Sequence, residues 1–108
     1  MDISSQSLIY AASQLAWPAA SDDAALSALK QHGYTGVELV PAKAFQSWPD
    51  ATDAHVQAAR QRCDAHGLRA VSMQALFFGV NGLHVFQGDD ERNNLLAHIL
   101  RCSKIADH

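Results

Sequence analysis

The chain has 108 residues, of which 48% are hydrophobic and 18% charged, and a formal charge of −3. It is apolar enough to fold around a core, short enough to be one domain at most, and too acidic for the basic stripe that nucleic-acid binding needs. No run approaches the ~18 apolar residues of a membrane span, and Met1-Asp2-Ile3-Ser4-Ser5 lacks the basic start of a signal peptide.

Residues 8–12 (Leu-Ile-Tyr-Ala-Ala) read as a short buried strand. Residues 13–18 form a loop that closes on Pro18, which has no N–H for a ladder. Ser21 is a good N-cap, with Asp22 and Asp23 on the positive end of a helix dipole. Ala25, Leu26, Ala28 and Leu29 make its apolar stripe, and Gly33 ends it. Residues 36–40 (Gly-Val-Glu-Leu-Val) read as a second strand, stopped by Pro41.

The pattern then repeats. A loop over 41–50 carries Phe45 and Trp48, and Thr52 or Asp53 caps a second helix. Its face is Val56, Ala59 and Cys63, and Gly67 ends it. Residues 68–75 read as a third strand, with Val71, Met73 and Ala75 on one face and Ala70, Ser72 and Gln74 on the other. A long loop over 76–88 leads to Asp89, the expected cap of a third helix. That helix has Leu95, Ile99, Cys102 and Ala106 on its apolar face, widened by Leu96 and Leu100.

The order is βαβαβα, with strands starting at Leu8, Gly36 and Leu68, close to the ~30-residue βα repeat. The fold class expected is α/β with parallel strands and right-handed crossovers. Such crossovers put all three helices on one face of the sheet. The opposite face then carries Glu38, Val40, Ala70, Ser72 and Gln74 with nothing upon it, whereas a parallel sheet needs both faces covered. A closed (β/α)8 barrel covers its inner face with itself but takes ~250 residues. Residues 1–108 are therefore expected to be the first three units, the N-terminal portion, of a larger TIM barrel that continues beyond His108. The uncovered face also offers a second expectation, a non-catalytic half-barrel module that self-associates.

Three segments resemble the xylose-isomerase-like barrel superfamily of sugar-phosphate isomerases and epimerases, to which endonuclease IV is related. Ser13-Gln14-Leu15-Ala16-Trp17-Pro18 is similar to a Ser-Asn-hydrophobic-Ala-Trp segment, with Gln14 where Asn is usual. Residues 33–41 (Gly-Tyr-Thr-Gly-Val-Glu-Leu-Val-Pro) resemble a Gly-Phe-x-Gly-Val-Glu-hydrophobic-x-Pro strand two. Residues 72–79 and 85–92 resemble a subgroup's Met-Gln-Ser-Leu-Leu-Phe-Gly and Leu-Phe-Gly-x-x-x-x-Arg, with Gln87 inserted before the glycine. The resemblance implies proton transfer beside a sugar carbonyl, assisted by a divalent cation (Mn, Mg, Co or Zn). It implies that the metal ligands and catalytic carboxylates come from later strands, so these residues alone hold no metal and carry no catalysis. An endonuclease IV-like phosphodiesterase is the third and least favoured expectation, given the acidic charge.

Single residues refine this. Glu38 is one of two glutamates and interrupts an apolar strand, where an unpaired carboxylate costs several kcal/mol. It is expected either to accept a substrate hydroxyl or to act as a hydrogen-bonding hub. Gln74 lies near the end of strand three, on the side where barrel active sites lie, and is placed to hold a sugar hydroxyl. Gln14 is a further substrate-contact candidate. Trp17, with Phe78, is a candidate wall against a sugar ring. His84, in the third loop, is the one histidine expected on the active-site side. His32 and His66 precede helix-ending glycines, and His55 and His98 lie within helices. Lys43 is either a phosphate contact or a solvated loop lysine. Cys63 and Cys102 fit helix faces and have no CxxC pair, which suits a reduced, cytoplasmic protein. The expected partner is a small sugar or sugar phosphate, with no nucleic acid and no membrane.

Overall fold

The computed structural model describes residues 8–83, 86 and 88–107. Helices separate the strands: β1 (Ala11–Ser13), α1 (Asp22–Gln31), β2 (Gly36–Leu39), α2 (Pro41–Ala44), α3 (Asp53–Ala65), β3 (Arg69–Met73) and α4 (Asp89–Ala106). Two 3-10 turns, Gln14–Ala16 and Ala19–Ser21, link β1 to α1. The strands pair in parallel in the order β1-β2-β3, so the fold is α/β with a three-stranded parallel sheet.

The sheet and the long helices share one core. Val37 and Leu39 of the central strand meet Leu26 of α1, Val56, Ala59 and Cys63 of α3, Ile105 of α4, and Leu68 at the entry to β3. Local chemistry sets the helix ends. Thr52 accepts from the His55 N–H at 3.3 Å, while His55 Nδ1 accepts from the Thr52 N–H at 3.1 Å, a reciprocal cap on α3. Gly33 and Gly67 sit at φ +85° and +74° just past α1 and α3, a conformation that favours glycine. No helix among the described residues is long and apolar enough to cross a membrane.

Several expectations change. β1 covers 11–13 rather than 8–12, and Leu8, Ile9 and Tyr10 are 58–60% exposed instead of buried. They lie beside an edge strand, and apolar composition does not bury residues that no element covers among the described residues. The 41–50 segment opens with α2, because Pro41 at the first helical position lacks only an N–H that would be unpaired there. Gly88, not Asp89, holds the cap position of α4, and Asp89 is its first residue.

The largest change is in β3. Gly36 pairs with Arg69 and Val37 with Ala70, but Glu38 pairs with Ser72 and Leu39 with Met73. One extra residue, Val71, is accommodated by a bulge, so strict alternation fails. Ala70 and Met73 both pack on the core, while Val71 and Ser72 are exposed. Val40 is also fully buried, so of the residues expected on the bare face Glu38, Ser72 and Gln74 remain outside the core. On that face Gly36 permits a close approach: a Cβ there would lie 3.1 Å from Ala11, Ile9 and Val71 side-chain atoms.

The apolar face of α4 is turned from the one expected. Leu95, His98, Cys102 and Ile105 are buried, whereas Leu96, Ile99 and Leu100 are exposed and Ala106 lies outside the core. Counting apolar residues alone overlooked His98. Its ring Nε2 meets the Leu76 carbonyl at 2.7 Å, and the ring packs on Trp48 and Phe77 at 5.2 and 5.6 Å. A buried imidazole with a hydrogen-bond partner and aromatic neighbours fixes the helix rotation, and leaves Leu96 and Leu100 exposed.

Candidate functional site

The site begins with strand register. Ser13 is the partner of Glu38, and Glu38 is the partner of Ser72. Parallel partners project to the same side, so three polar side chains form one row across the open face, at the C-terminal ends of the strands. Ser72 Oγ donates to Glu38 Oε2 at 2.7 Å. Gln74, one residue beyond β3, reaches back over the row and donates from Nε2 to Ser13 Oγ. Ser13 Oγ also accepts from the Leu15 N–H at 3.1 Å, which caps the following turn.

The chain reverses directly after Gln74, where Ala75 adopts φ +58°. That conformation costs a non-glycine residue about 1–2 kcal/mol. It separates Gln74, turned toward the row, from Leu76, whose carbonyl meets His98. The arrangement offers one carboxylate, two hydroxyls and an amide on an accessible surface. Such a set exchanges hydrogen bonds with a hydroxyl-rich molecule.

The remaining candidates form a separate group beneath the first loop. Gln14 is buried; its Oε1 accepts from the Val40 N–H at 2.9 Å and its Nε2 donates to Asp22 Oδ1 at 3.3 Å. Trp17 donates its indole N–H to the same Asp22 oxygen at 2.8 Å, so its polar edge faces the helix terminus rather than the row. Arg62 of α3 meets Asp22 Oδ2 at 3.0 Å and Asp23 at 2.9 Å. Lys43 is not a free solvated loop lysine: its ammonium donates to the Gln14 and Trp17 carbonyls at 3.1 and 3.0 Å. These bonds clamp the loop after β1. Phe77 and Phe78 are 47% and 58% exposed. His84 lies outside the described residues.

Among the described residues no three His, Cys, Asp or Glu side chains converge as a metal site. Glu38 has only neutral neighbours in its row, so these residues do not fit the divalent cation that the resemblance implies. The cysteines are unsuited to nucleophilic chemistry. Burial, reinforced by the Asp22 and Asp64 charges, pushes the Cys63 thiol up to about 11, and burial also raises that of Cys102.

Ser13, Ser72, Asp22 and His98 belong to these arrangements without having been singled out. Ser72 had a signal, since alternation places it with Glu38 on the open face. Asp22 had none, because a first-turn aspartate is already accounted for by the helix dipole. Comparison with protein-family models, with curated proteins and with solved structures found no match.

Proposed function

We propose that this chain is the N-terminal three-unit portion of a xylose-isomerase-like barrel, from an enzyme that isomerises or epimerises a sugar or sugar phosphate. Within it, the Ser13–Glu38–Ser72 row with Gln74 contributes substrate binding. The observation that carries this reading is the Ser72–Glu38 hydrogen bond on an uncovered face, at the strand ends where barrel sites lie.

The roles follow from the donor and acceptor inventory. Glu38 Oε2 is engaged by Ser72, which fixes the carboxylate and directs it to accept a sugar hydroxyl. Gln74 and Ser13 add an amide and a hydroxyl to the same rim. These residues bind and orient; the group that moves the proton beside the carbonyl belongs to other strands of the barrel. The rest of such a barrel also accounts for the bare inner face and the exposed Ile9 and Val71.

Equilibrium binding of pentose and hexose phosphates and their polyols, wild type against Glu38→Gln, tests the reading. One or two charge-assisted hydrogen bonds on an open surface support affinities around 1 mM. Binding at that level that weakens about tenfold in Glu38→Gln is expected. No binding, or equal binding by both proteins, contradicts the proposal.

A further inference from the structure

Charge is uneven along the polar row. Glu38 stands between its strand partners Ser13 and Ser72, with the Gln74 amide on Ser13, and it is the one charged group of the four. No lysine or arginine among the described residues bonds to any of them. The Lys43 ammonium is engaged by the Gln14 and Trp17 carbonyls, and Arg62 by Asp22 and Asp23. Arg69 pairs with Gly36 at the other end of the strands, roughly 10 Å from Ser72 along β3.

The hydrogen bonds within the row decide what it can still receive. Ser72 occupies Oε2 of Glu38 and leaves Oε1 to accept. Ser13 Oγ already accepts from the Leu15 N–H and from Gln74 Nε2, so its own hydrogen remains to donate. The Gln74 amide oxygen is a second acceptor. Hydroxyl groups answer all three, since each both donates and accepts. A phosphate ester carries a charge of about −1.5 to −2 at neutral pH and mainly acceptor oxygens, so it answers only the Ser13 donor.

We infer that the row takes the unphosphorylated end of a sugar chain, and that the Glu38 charge discriminates against substrates phosphorylated at both ends. The substrate class narrows to free sugars and monophosphates. One strand spacing, about 4.8 Å, separates Glu38 from a group seated on either neighbour. At that distance in water the repulsion between a carboxylate and a phosphate ester amounts to about tenfold in affinity. A monophosphate escapes it by directing its charged end away from the row. This inference rests on the sugar-binding reading and adds a direction to the bound chain.

The probes are a pentitol phosphorylated at one end and the same pentitol phosphorylated at both. Each is titrated at low ionic strength, where screening is weak, and followed through the amide signals of Ser13, Glu38 and Ser72. The singly phosphorylated probe should bind near ~1 mM and the doubly phosphorylated one about tenfold more weakly. Glu38→Gln should weaken the first about tenfold and bring the two within about threefold of each other. Ser72→Ala, which keeps the carboxylate, should weaken both and preserve the gap. Equal or tighter binding of the doubly phosphorylated probe by the wild type, or a gap that persists in Glu38→Gln, would overturn the inference while leaving sugar binding at the row intact. Unchanged signals with both probes would remove the inference and the sugar-binding reading together.

Discussion

The Trp17 indole N–H and the Asp22 carboxylate are joined by a 2.8 Å hydrogen bond that ties the loop after β1 to the first turn of α1. The same carboxylate takes the Gln14 amide at 3.3 Å and the Arg62 guanidinium at 3.0 Å. Asp22 thus does more than meet a helix dipole: it gathers three donors from the first loop and from α3.

Asp22→Ala should therefore destabilise the chain by about 2–4 kcal/mol, because it leaves the buried Gln14 amide and the Trp17 N–H without their acceptor. Urea denaturation measures this. A change under about 0.5 kcal/mol would mean that water replaces the carboxylate freely.

The rotation of α4 separates two leucines that sequence periodicity treats alike. Leu95 is buried, so Leu95→Ala should cost about 2–4 kcal/mol. Leu100 is 64% exposed, and Leu100→Ala should change stability by less than about 0.5 kcal/mol. Urea denaturation of the two variants separates the cases. The reverse ranking would restore the face that apolar spacing suggests.

The order of strands and helices, the ends of α1 and α3 and the core stripe of α3 were legible because each has a local cause. The glycines at 33 and 67, the Thr52 cap and the Val56–Ala59–Cys63 stripe act over a few residues, and all stand where periodicity puts them. The β3 bulge was not legible, because it arises from pairing with β2 and not from residues 69–73 themselves. Likewise His98 sets the rotation of α4 through a carbonyl 22 residues away. Of the site, Glu38 and Gln74 were readable as polar residues on a strand that should be apolar. The Ser72 bond that orients Glu38 depends on register, which only the assembled sheet shows.

Ala75 holds φ +58° between the site residue Gln74 and the Leu76 carbonyl. Glycine adopts that conformation without the side-chain clash, although it loses more entropy on folding. Ala75→Gly should raise stability by about 0.5–1 kcal/mol. A loss of stability in thermal or urea unfolding would argue against the left-handed turn.

The Cys63 thiol, raised by burial to about 11 from an ordinary value of 9.0, links stability to alkaline pH. The unfolded chain loses this proton first, so the native state holds more protons between those values, and stability falls as pH rises from about 9 toward 11. Cys63→Ala removes that part of the slope. Denaturation midpoints across the range show it as a flatter alkaline limb; an unchanged limb would place the titration elsewhere.

The carboxylate that Ser72 holds on the open sheet face is the centre of the functional account, and residue-resolved amide shifts during titration with sugar phosphates test it most directly. Shifts should cluster at Ser13, residues 36–39 and residues 72–75, and fade in both Glu38→Gln and Ser72→Ala while the remaining spectrum stays folded. Shifts confined to other surfaces, or unaltered by those two substitutions, would contradict the assignment of this row as the binding site.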